Sequence, residues 1–148
     1  MINEINIRNG TNSDIPELYE VLNNTLELRE YSEGEAYSHN WLKEVITDNK
    51  RNIVLVAQKN KILLGFLIAH VLAGRDILLN DLYVKPDYRK VGIASMLMKK
   101  LENISKRIKS TLTIALTSLK NKKMQNLFEK YNYKKGHTFY YYYKEKLK

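Results

Sequence analysis

The sequence predicts an α/β domain with a mixed sheet, in the order β-α-α-β-β-β-α-β-α-β, and three observations predict it. Apolar, β-rich runs crowd the stretch from residue 53 to residue 84. A long stripe of apolar side chains at three- and four-residue spacing follows over residues 93–108. Between them lies a short basic turn containing Pro86 and Gly92. Strands that give way to a helix through a tight turn, and then to a further strand, are the pattern of a layered α/β domain.

Each element has its own local reason. Ile5 and Ile7 alternate with polar residues as in a short strand. Asp14-Ile15-Pro16-Glu17 then supplies an N-cap, an early-turn proline and an acidic residue at the capping-box position, so Leu18, Val21, Leu22 and Thr25 mark a first helix. After an acidic, tyrosine-bearing stretch, Trp41, Leu42, Val45 and Ile46 form the buried stripe of a second helix. The runs 53–57 and 62–72 flank Lys59-Asn60-Lys61 and read as a hairpin leading into a strand, Asp76 to Val84. Pro86 stops the ladder, and Ile93, Met96, Leu97, Leu101, Ile104 and Ile108 define the long helix that begins close to Gly92. A strand over Thr111 to Leu116, a helix near Lys122 to Lys130 and a terminal strand containing Thr138 to Tyr143 complete the order.

Composition fits a single domain spanning residues 1–148, with no repeat or Pro/Gly-rich linker: 2 prolines and 6 glycines are spread along the chain. No apolar run is long enough to span a bilayer, and Met1-Ile2-Asn3-Glu4 lacks the features of a signal peptide, so a cytoplasmic location is expected by default. The lack of cysteine removes disulfides, thiolate catalysis and cysteine-ligated zinc together. His39, His70 and His137 lack metal-ligand spacing, so no metal is expected; His70, in an apolar strand, reads as a packed or hydrogen-bonded core residue. Charge is polarised. Residues 1–48 hold three basic and ten acidic side chains, whereas residues 49–148 hold twenty-two basic and six acidic ones. Such a chain suits a polyanionic ligand on its C-terminal two thirds and a cationic one on its N-terminal third.

The turn Lys85-Pro86-Asp87-Tyr88-Arg89-Lys90-Val91-Gly92 is where chemistry is most legible. The first turn of a helix has N–H groups without internal acceptors, Gly92 presents no side chain to repel an anion, and Arg89 and Lys90 add charge at the positive end of the helix dipole. Phosphate binding is the natural use, and it points to a nucleotide-type cofactor.

The spacing Arg89-x-x-Gly92-x-Ala94, with Leu82-Tyr83-Val84-x-Pro86 before it and Ile93-Ala94-Ser95-x-Leu97 after it, resembles the signature of the GNAT superfamily of N-acetyltransferases. A second block, Asn121 to Tyr133, is similar to the asparagine, helix and aromatic-ended strand entry of that family. The likeness runs from about Ile53 to Lys144 and implies the GNAT fold, acetyl-CoA as cosubstrate and direct transfer of its acetyl group to an amine. It further implies that Val84 and the loop residues Arg89, Lys90, Val91, Gly92, Ile93 and Ala94 hold the pantetheine and pyrophosphate. Main chain at Leu82, Tyr83 or Val84 would polarise the thioester carbonyl, and Asn121 would contact the cofactor arm. Glu27, Glu30, Glu33 and Glu35, between the first two helices, would line the wall of the acceptor site, which favours a cationic amine such as a polyamine, an aminoglycoside-like compound, a lysine side chain or a peptide N-terminus. Family members often dimerise, and the terminal tyrosine strand offers an edge for pairing with a second copy.

Acetyl transfer needs a base for the amine and an acid for the departing thiolate. Many relatives carry a tyrosine where this chain has Phe128; Tyr131, one helical turn on and on roughly the same face, is a candidate acid, as are Tyr83 and the run Tyr140 to Tyr143, and the sequence singles out none of them. Some relatives place a glutamate where Asn80 stands, and others where Leu116 stands. Asp81 is then the nearest carboxylate, although strict alternation turns it to the face opposite Asn80 unless a bulge intervenes. Glu33, Glu35 and solvent are the other sources of a base. Two further readings remain at this level: an acetyl-CoA-binding sensor that has lost catalysis, and a basic nucleic-acid-binding module using the tail Tyr140 to Lys146. Alternation argues against the latter, because successive tyrosines of a strand face opposite sides.

Overall fold

The computed structural model describes residues 4–28 and 37–144, in two compact units, Met1–Leu116 and Thr117–Lys148. The first unit holds β1 (Asn6–Asn9), α1 (Ile15–Asn24), α2 (His39–Thr47), β2 (Asn52–Lys59), β3 (Ile62–Val71), β4 (Ile77–Val84), α3 (Ile93–Ile108) and β5 (Thr113–Ala115). Its sheet has the order β1-β2-β3-β4-β5, antiparallel throughout except for β4 with β5. A parallel pair requires a crossover, and α3 supplies it.

The centre of the sheet is buried on both faces, which is why 53–57 and 63–69 are unbroken apolar runs rather than alternating ones. One face, with Val54, Val56, Phe66, Ile68 and Tyr83, packs under Leu18 and Leu22 of α1 and Leu42 and Val45 of α2. On the other side α3 lies against β1 to β4 and buries Ile93, Leu97, Met98, Leu101 and Ile104. Met98 occupies the stripe that the sequence assigns in part to Met96, which is half-buried. Each of these side chains contributes roughly 1.5–3 kcal/mol by leaving water. The hairpin forms as expected: Asn60 (φ 49°) and Lys61 (φ 65°) are both left-handed, the requirement of a two-residue type I′ turn.

Three local expectations are corrected. Asp14 does not cap α1 with its side chain. Its carboxylate accepts from the Thr11 N–H (2.7 Å) and from both terminal nitrogens of Arg8 (2.7 Å each), so it ties β1 to the approach of the helix. The strand expected over Thr111 to Leu116 is confined to Thr113–Ala115, and Leu116 is exposed. In the second unit α4 spans Lys122–Lys130, but Thr138 to Tyr143 is not a strand. The tail keeps an extended local geometry, since Tyr140 approaches Tyr142 and Tyr141 approaches Tyr143 at 6.4 and 6.0 Å between ring centres. β propensity records how a residue fits a neighbouring strand, and tyrosines as exposed as these are not in a ladder. Among the described residues no helix is long and apolar enough to cross a membrane.

Gly65 fixes the spacing of β3 and β4, because a Cβ there would lie 2.5 Å from the Tyr83 carbonyl oxygen. Gly65→Ala is therefore expected to lower stability by about 1–3 kcal/mol in denaturant unfolding, and an unchanged midpoint would show that the two strands can part at no cost.

Candidate active site

The site is organised by an irregularity in β4. Ile68 of β3 lies opposite Asp81, but its neighbour Ala69 lies opposite Leu79, so Asn80 is one residue too many. Such a bulge reverses the alternation of the strand. Neighbours on β3 face opposite ways, and Ile68 belongs to the core beneath α1 and α2. Leu79 therefore stands with Ala69 on the α3 side, whereas Asp81 stands with Ile68 on the α1/α2 side. The bulge also brings neighbouring side chains together: Asn80 Nδ2 donates to Asp81 Oδ2 at 2.7 Å. The face reversal that the sequence makes conditional on a bulge is present.

Main-chain direction switches as well. The Ile77 N–H donates to Leu112 O (2.9 Å), so before the bulge the odd residues address β5. Beyond it, the Lys85 N–H donates to Leu64 O of β3 (2.9 Å), and by alternation Leu82 and Val84 address the β5 edge. There β5 has no residue to meet them, because its pairing ends with Leu79 opposite Ala115. A gap thus opens beside β4 from Asn80 to Val84, on which the main chain of Leu82 and Val84 is presented. Tyr83 points away from this edge, with its ring buried against Phe66 at 5.7 Å.

The strand passes directly into the basic turn. Pro86–Tyr88 forms a single 3-10 turn, Lys90 (φ 64°) and Gly92 (φ 90°) are left-handed, and Gly92 is the N-cap of α3. A Cβ on Gly92 would meet nothing within 4 Å, so the space before the helix is open. The first intrahelical bond runs from the Met96 N–H to Gly92 O (3.0 Å), leaving the N–H groups of Ile93 and Ala94 without acceptors inside the helix. Val91 and Lys90 are exposed, so unpaired backbone donors, the helix dipole and a positive charge coincide at this turn. Arg89 is engaged within the protein. Its Nε donates to Val84 O (2.8 Å), its terminal nitrogens bond the two carboxylate oxygens of Glu27 (3.3 and 3.1 Å), and its guanidinium carbon lies 5.7 Å from the centre of the Tyr83 ring. It braces the turn against β4. Glu27 is accordingly engaged with the basic turn, and Glu17 likewise pairs with Lys85. Glu30, Glu33 and Glu35 lie outside the described residues.

On the α1/α2 side, Asp81 is 6% exposed and has no cationic partner among the described residues. Its carboxylate accepts from Asn80 and, at 3.3 Å to either oxygen, from the Tyr37 hydroxyl. Burial pushes Asp81 up to about 6, against the opposing pull of the two donors, Asn80 and Tyr37. Tyr37 itself is pushed up to about 12 by burial and by the neighbouring carboxylate charge, so its hydroxyl keeps its proton. Tyr37 escapes a sequence reading because it stands in an aperiodic acidic stretch. His70, half-buried near the end of β3, bonds Asn52 through Nδ1 (2.7 Å) as expected of a hydrogen-bonded strand residue, and burial holds it below the usual imidazole range.

The remaining candidates belong to the second unit. Asn121 is the N-cap of α4, and its Oδ1 accepts from the Met124 N–H (3.2 Å). Tyr131 is the C-cap, half-buried, with its N–H bonded to Leu127 O and Phe128 O. Phe128 is buried against Tyr133, 5.3 Å between ring centres. No cluster of His, Asp or Glu able to hold a metal occurs among the described residues.

The sequence model described as the acetyltransferase (GNAT) family matches residues 15–133. No curated protein sequence matches the chain. Among solved structures, an aminoglycoside acetyltransferase from an uncultured soil metagenomic sample, in complex with sisomicin, is similar at TM-score 0.80 and 15% identity, over 98% of this chain and 99% of that one. AAC(6')-Iy with a bisubstrate analogue is similar at TM-score 0.75 and 14% identity, over 95% and 98% of the two chains. The PaiA N-acetyltransferase of Thermoplasma acidophilum, with coenzyme A, is similar at TM-score 0.74 and 22% identity, over 86% and 87%. At these identities the likeness is one of fold.

The raised Asp81 has a thermodynamic signature. A carboxyl whose folded pKa exceeds its unfolded value stabilises the fold fully below about pH 4, and the contribution is lost as pH rises through about 6. At neutral pH the ionised form therefore costs on the order of 3 kcal/mol. Asp81→Asn is expected to unfold at a higher temperature than the parent at pH 8, with the difference shrinking toward pH 4; a difference independent of pH would contradict the assignment.

Proposed function

Because the chain belongs to the acetyltransferase (GNAT) family, we propose that it transfers the acetyl group of acetyl-CoA to a primary amine that is cationic in solution. The observation that carries this reading is the continuity, within residues 79–94, of a strand with an open edge, a buried carboxylate and a glycine-led helix terminus. The residues present fit the cosubstrate. A pyrophosphate asks for several convergent N–H groups and a cation, and the turn from Lys90 to Ala94 offers both, with open space before Gly92. When bound, acetyl-CoA supplies an activated acetyl carbonyl joined to a thiol leaving group.

The protein's own groups then have defined tasks. The open N–H groups of Leu82 and Val84 are donors for the carbonyl oxygen as charge develops on it. Arg89 holds Val84 in place through its carbonyl and is a positioning residue. Asp81, one residue from Leu82, is ionised at neutral pH yet basic enough to accept a proton, the property required of a base. Overall a C–N bond forms and a C–S bond breaks; the ammonium loses two protons, one to Asp81, which passes it on to solvent, and one to water as the C–N bond forms, while the departing thiolate takes a proton from solvent. A buried carboxylate with no cation partner among the described residues also favours an acceptor that arrives charged. The aminoglycoside acetyltransferases among the structural neighbours support aminoglycoside-like amines as the first acceptors to try, followed by polyamines, lysine side chains and peptide N-termini. Phe128, buried against Tyr133 and without a hydroxyl, favours a second reading, an acetyl-CoA-binding domain without turnover.

One assay addresses both readings. Thiol release from acetyl-CoA is followed with a panel of these amines, and product mass is measured. Amine-dependent release is expected, with kcat/KM rising through about pH 6 as Asp81 loses its proton. Asp81→Asn should lose that limb and about a hundredfold or more of the rate. Thermal stabilisation by acetyl-CoA without release for any amine would support the second reading, and neither response would refute both.

Gly92→Asp sets a negative charge at the helix terminus while retaining a residue that tolerates the left-handed region. Its KM for acetyl-CoA is expected to rise at least about tenfold with little change in unfolding temperature. An unaltered KM would remove the turn from the cofactor site.

A further inference from the structure

We infer that Tyr37, held by Asn23, is a positioning residue that keeps the Asp81 carboxylate in its ionised, proton-accepting form. This rests on the reading of Asp81 as the base. The geometry spans three elements. Asn23 of α1 clamps the main chain of Tyr37 from both sides, its Nδ2 donating to Tyr37 O (2.9 Å) and its Oδ1 accepting from the Tyr37 N–H (3.3 Å). Trp41 of α2 packs on the Tyr37 ring, 4.6 Å between centres. The hydroxyl so delivered donates toward both oxygens of Asp81 and accepts from Asn80 Nδ2 at 3.2 Å.

The arrangement is directional. Asn80 can only donate through its Nδ2 and shares that group between Asp81 and Tyr37. The Tyr37 oxygen is thereby occupied as an acceptor, which leaves its proton for the carboxylate. Two donors converge on one buried anion, and both favour its charged form over its neutral form. When Asp81 takes the amine proton, no bond of this set has to be rebuilt, because the carboxyl keeps a second oxygen for the same donors. Loss of the Tyr37 donor alone leaves a carboxyl that protonates more readily and is a poorer acceptor near neutral pH. The other titratable side chains around this face are His70 of β3, bonded to Asn52 and edge-on to Trp41; His39 at the start of α2, stacked on Tyr19 of α1 at 3.9 Å; and Tyr83 of β4, beside Phe66. The Arg8–Asp14 and Arg89–Glu27 pairs are each satisfied within themselves.

The test compares the parent with Tyr37→Phe, which retains the ring and its contact with Trp41. Carbon-13 NMR of the Asp81 side-chain carboxyl, assigned by its loss in Asp81→Asn, is titrated in the ligand-free protein, and the pH dependence of kcat/KM is measured alongside. The Asp81 titration is expected to move upward by about one pH unit. The acid limb of kcat/KM should move with it, so that activity falls near pH 6.5 and converges with the parent above about pH 8. Asn23→Ala, which frees the Tyr37 main chain without touching the hydroxyl, should move the titration in the same direction by a smaller amount. An Asp81 titration unmoved in Tyr37→Phe overturns the inference, as does a loss of activity equal at every pH. Should Tyr37→Phe fail to fold, the Asn23→Ala titration decides alone. The base assignment fails separately, if Asp81→Asn keeps the acid limb, and in that event the carboxyl titration still reports on Tyr37.

Discussion

One extra residue in β4 decides which way Asp81 and the main chain of Leu82 and Val84 face. Asn80 interrupts the pairing of β3 with β4, and because a strand alternates with a period of two, a single insertion exchanges its faces and reverses its main-chain direction together. Without it Asp81 would share with Leu79 the face that packs on Leu97, Met98 and Leu101, away from the Tyr37 hydroxyl. The open N–H groups beyond it would point at β3 instead of the gap. The irregularity is held from both sides: Ile77 to Leu79 are paired with β3 and β5, and Asp81 to Val84 are paired with β3. A bulge is tolerated where the flanking ladder is firm, and here it is.

The basic turn inherits its position from the same strand. Gly92 can present a helix terminus because α3 is anchored along its length by Leu97, Met98, Leu101 and Ile104, so the terminus is a fixed object rather than a fraying end. The strand side is braced by Arg89, whose bond to Val84 O fills one main-chain acceptor on the open edge. The acidic N-terminal third has a share in this. Glu17 and Glu27 reach Lys85 and Arg89, so part of the charge polarity seen in the sequence is used inside the protein, tying α1 and the segment after it to the turn. As pairs that are about one-third to two-thirds exposed they contribute little to stability, and their consequence is geometric.

Asp81 illustrates the opposition of stability and function. Burial makes the carboxylate a cost to the fold at neutral pH and, by the same shift, gives it the proton affinity that the proposed reaction requires. Tyr37 and Asn80 limit that cost without abolishing it. The bulge, the clamp from Asn23 and the packing of Trp41 form one construction around a single charge, and each part is ordinary by itself.

The sequence by itself determined the elements. Apolar periodicity and β-rich runs placed α3, β2 and β3 within a few residues, because burial on one or both faces writes itself directly into spacing, and Asn60 within Lys59-Asn60-Lys61 announced its turn because left-handed positions favour asparagine. The glycine-led turn into α3 was legible for the same reason: its geometry lies in consecutive backbone. Longer contacts were not. Asp14 has the local signature of a cap and serves Arg8, and the pairing of Glu27 with Arg89, 62 residues apart, has no local signature at all. The segment from Thr138 to Tyr143 has the β propensity of a strand but no ladder to join. Only the tertiary structure decided which face Asp81 occupies and that Tyr37, forty-four residues away in sequence, donates to it. Local pattern encodes what a residue does to its own backbone, whereas the partner of a buried charge is chosen by the register of strands and the packing of helices, which no window of sequence contains.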